Sequence, residues 1–190
     1  MGMDIRLVAV DSDELRRPEY VLDDRLRSAH RLSRLFCNLM CRRYVVSGAT
    51  ELDRIANLAG LDVSALYDMA DHCDDTQVVE MLGCATSEDE RREINSEIAQ
   101  NRERLAGNLT QVLALLRSIV DELARIVDLP DRLDDDGFDT LDSKNYFAQV
   151  AADFKFGSAR PSFGQDLKNF CDFLEYARSK GVTSVGFQFT

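Results

Sequence analysis

Residues 184–189 read Ser-Val-Gly-Phe-Gln-Phe, so that Val185, Phe187 and Phe189 alternate with Ser184, Gly186 and Gln188. Successive side chains of a strand point to opposite faces, and this spacing predicts a strand with one strongly apolar side. At the other end of the chain Met3, Ile5, Leu7 and Ala9 alternate with Asp4, Arg6, Val8 and Val10 in the same manner. The sequence between them is helical in period, and a lone strand would leave its backbone donors and acceptors unsatisfied. The two strands are therefore expected to pair with each other. The fold class that follows is α+β, mostly helical, with a small sheet from the N- and C-terminal strands.

Immediately before the last strand, Leu167, Phe170, Leu174 and Ala177 mark the inner face of a helix that Ser162 and Gln165 cap and Gly181 stops. This helix is expected to pack on the sheet. Further in, Ile98, Leu105, Val112, Ile119 and Ile126 are seven apart with Leu109, Leu116 and Leu123 interleaved, and Ser87 with Glu90 forms a capping pattern. The pattern predicts a long central helix over about 88–128, roughly 60 Å at about 1.5 Å per residue. Its polar first half, about 86–106, is expected to project or to meet something polar. The 98–126 seam is also one through which two copies could dimerise. Gly107 lies off the seam and costs about 1 kcal/mol in a helix interior, so a continuous helix and a break both fit.

Nearer the start, Leu22, Leu26, Ala29, Ser33, Phe36 and Met40 predict a first helix reaching about Arg43, with Tyr44–Val46 as a short strand. Helices over 52–59 and 64–71 join through Gly60, and another helix is expected from Ser143 to about Asp153.

The chain has 190 residues and 45% hydrophobic content, enough for a single domain with a real core and too apolar for disorder. Its net charge of -11 weighs against nucleic acid and anionic membrane as partners. The charges fall in blocks. Arg25, Arg27, Arg31, Arg34, Arg42 and Arg43 precede Thr50 with no acid among them, and 55–90 holds nine acids with no Lys or Arg. Residues 128–142 hold seven aspartates against Arg132 alone. The opening MGMDIRLVAV lacks the basic and long apolar regions of a secretory leader. Residues 109–127 are too charged to span a bilayer. Five cysteines without a CxxC pair fit reduced thiols, and a cytoplasmic location is expected.

Four patterns could carry chemistry. Arg25 and His30 fit the R-x4-H motif of HEPN-type ribonucleases, in which the two side chains converge on a scissile phosphate. His30, Cys37 and Cys41 share one stripe of the first helix and could begin a zinc site, with His72 or Cys73 completing it. Cysteine is more commonly a small buried hydrophobe, and neither metal nor cofactor is expected. Ile55, Ala56, Ala59, Gly60, Leu61 and Tyr67 resemble the helix-turn-helix of TetR-type regulators, yet the reading helix would carry Asp62, Asp68 and Asp71 towards phosphates. Asp134, Asp136 and Gly137 echo a calcium loop whose end ligands, at Arg132 and Ser143, are wrong for calcium.

The MGM start, the strand leading into Asp11, Ser12 and Leu15, and the closing helix over 166–180 before a last strand resemble the YfbM-like family of small bacterial proteins. The resemblance implies an α+β fold and no particular activity. The function expected from the charge blocks is an acidic cytosolic interaction module, immunity- or adaptor-like, that binds a basic protein partner. Its expected contact residues are Asp131, Asp134, Asp135, Asp136, Asp139 and Asp142. The alternatives are a nuclease or other enzyme built on Arg25 and His30, and a helix-turn-helix regulator.

Overall fold

The computed structural model describes residues 4–10, 23–133, 143–148, 150 and 161–189. Strands β1 (Ile5–Ala9) and β2 (Val185–Phe189) pair antiparallel, with Ile5 opposite Phe189 and Ala9 opposite Val185. Among the described residues the sheet has these two strands. Its apolar face carries Ile5, Ala9, Val185 and Phe187, all buried, and rests on the closing helix α10 (Phe163–Ser179). The rings of Phe36, Phe170 and Phe187 meet there, with centroids 5.4 Å apart for the Phe170 and Phe187 pair. Such pairs add about 0.5–1.5 kcal/mol beyond the area they bury. Ser162 caps α10 by accepting from Gln165 N, and Gly181 follows its last turn, as the sequence predicts.

Between the strands lie, in order, α1 (Asp24–Ala29), α2 (Arg34–Cys41), α3 (Glu51–Ala59), α4 (Ser64–Ala70), α5 (Asp75–Cys84), α6 (Glu88–Leu105), α7 (Leu109–Leu123), α8 (Leu129–Leu133) and α9 (Ser143–Tyr146). The molecule is thus mostly helical with a small sheet, as expected. Helix α7 lies between α10 and α3, burying Val112, Leu116, Ile119 and Leu123.

The long central helix is not continuous. It breaks into α6 and α7 at Gly107, whose φ of 70° lies in the left-handed region that glycine alone enters at little cost. Tertiary contacts make the elbow. Gly107 N donates to Ser184 Oγ, Leu109 N donates to Thr183 O, and the Asn108 side chain grips the backbone of Val185. A straight helix would spend these backbone groups on itself.

The predicted first helix is likewise divided, into α1 and α2. Ser33, read as an inner-face helical residue, is instead the N-cap of α2, accepting from Phe36 N. Its own N and Oγ donate to Asp166 on α10, at 2.8 and 2.5 Å, which holds it out of helical geometry. Residues 44–46 form no strand. Arg42–Tyr44 is a 3-10 turn, Val45 N and Val46 N both donate to Arg42 O, and Val45 stands 74% exposed. Helices α3 and α4 stand where expected around Gly60. Helix α5 went unread in the sequence, although Asp74 and Gln77 form a reciprocal capping box at its start.

Candidate functional site

Beside β1 opens a cleft of about 750 Å³, within the size range of small-molecule sites. The chain has two histidines, and both line it. His30 closes α1 and is buried, its ring edge-on to Phe173 at 5.8 Å and tilted against Tyr176 at 5.4 Å. Burial pushes its pKa below the ordinary value. The charge of Asp172 opposes that shift and Lys168 adds to it. His72, just past α4, lies against β2. A Cβ placed on Gly186 would sit 2.9 Å from its Cγ, so this strand position admits glycine.

The carboxylates of the cleft are engaged. Asp4 pairs with Arg34 at 3.0 Å, Asp24 with Arg27 at 3.9 Å, and Asp75 with Arg102 at 3.1 Å. Asp74 caps α5 through Gln77 N at 2.9 Å and accepts from Gln188 Nε2 at 2.5 Å, and these bonds hold it below the usual carboxylate range despite some burial. Among the described residues, Arg6 and Arg31 on the same walls have no carboxylate within salt-bridge distance.

Arg25 is exposed on α1 and is not part of the cleft lining, so the structure does not gather Arg25 and His30 into one cavity. His30 is also separated from Cys37 and Cys41 by the break at Ser33. Cys37 is buried, and its thiol is pushed up to about 12 by burial first and by Cys41 next, which keeps it protonated. Among the described residues no three His, Cys, Asp or Glu side chains are grouped to hold a metal ion.

Helix α4, expected to be the reading helix if the helix-turn-helix pattern were one, buries Ala65, Leu66, Met69 and Ala70 and packs against β2, α6 and α7. Asp131 is exposed on α8, whereas Asp134, Asp135, Asp136, Asp139 and Asp142 lie outside the described residues. So do Asp11, Ser12 and Leu15.

Among the described residues the arginine block and the 55–90 acids meet at one ion pair, Arg43 with Asp71, while other arginines of the block find acids elsewhere. Arg42 binds Glu51 side-on through Nε at 2.9 Å and Nη2 at 2.8 Å, both side chains 8% exposed. Arg43 reaches Asp71 at 3.4 Å while its guanidinium stacks 5.1 Å from the ring of Tyr44 and 4.8 Å from that of Tyr67. Tyr44 donates to Asp71 and Tyr67 to Asp53, the latter carboxylate also closing the Thr50 capping box. Both phenols are pushed up to about 12, by burial first. From the acidic block, Asp68 and Asp75 pair with Arg104 and Arg102 of α6.

One element is at odds with ordinary packing. Helix α5 reads Asp-Thr-Gln-Val-Val-Glu-Met-Leu-Gly-Cys, is apolar on most sides, and buries none of its residues. A helix of that composition is normally covered. Val79 is 70% exposed and Met81 36%, while Val78 and Leu82 are half-buried. Helix α5 leans on α6, whose first half is exposed except for half-buried Ile94. Glu80 on α5 and Glu93 and Glu97 on α6 are exposed and, among the described residues, have no basic group within salt-bridge distance, while Arg91 and Arg92 stand exposed on the same stretch of α6. The capping box and the V-V-E-M-L run were the signals in the sequence for this face. Compared with protein-family models, with curated proteins and with solved structures, the chain matches none.

Proposed function

We propose that this chain is an acidic protein-interaction module, immunity- or adaptor-like, whose docking face is the α5–α6 hairpin and whose partner is basic. The observation that carries the reading is α5, a ten-residue apolar helix with nothing buried. Interfaces combine an apolar centre with a polar rim, and single-sign rims steer oppositely charged partners and reject like-charged ones. Exposed Val79 and Met81, beside half-buried Val78 and Leu82, supply the apolar surface, and exposed Glu80, Glu93 and Glu97 supply acidic charge on the same two helices. The aspartates at 131, 134, 135, 136, 139 and 142 are proposed as further contacts for the same basic partner. Kinship with the YfbM-like family is proposed from the paired terminal strands and the closing helix.

The test compares the native protein with V79S/M81S and with E80Q/E93Q/E97Q as baits in native cell lysate at low and moderate salt. A basic partner held by the native bait, lost from both variants and weakened by salt while melting temperatures stay unchanged, supports the reading. Identical partners for all three baits, or none for any, overturns it.

A further inference from the structure

We propose that the cleft beside β1 takes an extended acidic peptide segment, which adds to the sheet as a third strand along the free edge of β1. This site is separate from the α5–α6 face and does not rest on it. Hydrogen-bond parity locates the edge. Val10 N donates to Ser184 O at 2.9 Å, and this pair continues the register of the sheet, so the ladder bonds fall on Val8 with Gly186 and on Arg6 with Gln188. The N–H and C=O groups of Ile5, Leu7 and Ala9 therefore point away from β2. The same parity turns the N–H and C=O of Val185 outward on β2, where Asn108 takes both and α4 packs along the strand. Among the described residues, no comparable partner takes the outward groups of β1.

The cleft runs along that edge. Residues 4–9 all line it, together with Arg27, Arg31 and Leu32 from the α1 end and His72, Asp74 and Thr76 from the start of α5. An edge sunk between such elements is closed to the edge of another folded sheet and open to a single extended chain, which satisfies outward backbone groups as a neighbouring strand does. Charge and alternation choose the segment. Side chains along a third strand alternate between the two faces of the sheet, with Arg6 on one face and the buried Ile5 and Ala9 on the other. The acids of the cleft are matched already, Asp4, Asp24 and Asp75 by arginines and Asp74 by the cap of α5. Arg6 and Arg31 are exposed and, among the described residues, have no carboxylate within salt-bridge distance. The unmatched charge is thus positive. A segment that alternates apolar residues with Asp or Glu meets it on one face, while its apolar side chains continue the buried face towards Leu32 and Phe173.

The test reads fluorescence anisotropy of labelled peptides of about eight residues, long enough to span β1, against the full chain. One peptide alternates Val and Glu. Two more keep that sequence but carry backbone N-methyl groups on every Val or on every Glu, and a fourth alternates Val and Lys. A paired strand turns only every second N–H towards its neighbour, so the proposal expects one methylated peptide to bind at least tenfold more weakly and the other to bind as the parent does. It expects the same loss for Val–Lys, and for the Val–Glu peptide on R6Q/R31Q, whose two changes fall on exposed side chains. Slowed amide exchange at Leu7 on binding places the peptide on the edge. Binding of both methylated peptides as tightly as the parent would overturn strand addition. So would displacement of the Val–Glu peptide by succinate at matched concentration, which would make the cleft a site for small anions. Val–Lys binding as tight as Val–Glu, unchanged binding by R6Q/R31Q, or no saturable binding of Val–Glu would each overturn the acidic segment. Sedimentation supplies the last arm, since a dimer of the chain that the peptide dissociates would make β1 of a second copy the occupant and overturn the proposal.

Discussion

Asn108 binds Val185 twice, donating from Nδ2 to the carbonyl and accepting at Oδ1 from the backbone N–H, each at 2.9 Å. The side-chain amide takes the place of a neighbouring strand along β2 and at the same time anchors the start of α7. Both atoms are buried, so removing the amide leaves two backbone groups without a partner and without water. Asn108→Ala is expected to cost about 2–4 kcal/mol, at roughly 1–3 kcal/mol per orphaned group with partial relaxation. Urea unfolding measures it. A loss under about 0.5 kcal/mol, the scatter of surface substitutions, would show that the clamp contributes nothing.

Gly107 supplies a test in which the sign decides. In a continuous helix Gly107→Ala would stabilise by about 1 kcal/mol through propensity. At the observed φ of 70° an L side chain is strained, and a Cβ there meets nothing within 4 Å, so the cost is that of the backbone alone. The expected result is destabilisation by about 1–2 kcal/mol, with Gly107→Asn milder than Gly107→Ala.

The buried pair of Arg42 and Glu51 should show strong coupling. Removing one partner strands a charge in the interior, and Arg42→Met or Glu51→Leu alone is expected to cost about 3–5 kcal/mol. The double replacement should cost far less than the two singles added, because it removes both charges together. A double-mutant cycle measures the coupling, and additive losses would contradict it.

For His30 the sign follows from its lowered folded-state pKa, caused first by burial. Between that lowered value and the unfolded value near 6.5, the unfolded chain holds a proton that the folded chain does not. Stability is therefore complete above about pH 6.5 and declines as pH falls through that window. Melting temperatures recorded across the window should show this slope in the native chain and a shallower one in His30→Gln. An NMR titration of His30 at or above the ordinary value would refute it.

The sheet, the closing helix and its caps were legible because each is written locally, in alternation, in three-to-four spacing and in Ser162 with Gln165. The two helix breaks were not, because their causes are distant. Ser33 leaves its helix for Asp166, 133 positions away, and Asn108 turns the chain towards Val185, 77 positions away. The cleft was hidden for the same reason. Nothing in the spacing of His30 and His72 tells that β1 brings them to one cavity. The α5 face was legible in principle, since Asp74 and Gln77 announce a helix start. That it stays uncovered can be known only once every other apolar face has found its mate.

The pairing of Ile5 with Phe189 also bears on how the chain is made. A ribosome adds about 5–20 residues per second, so β1 leaves it on the order of ten seconds or more before its only described neighbour strand exists. During that interval Ile5, Leu7 and Ala9 have an apolar face and two open edges, the condition under which nascent strands cross-pair with other chains. Arg6 within so short a strand and Asp4 just before it place charge beside that apolar face, the placement by which gatekeeper residues oppose cross-pairing.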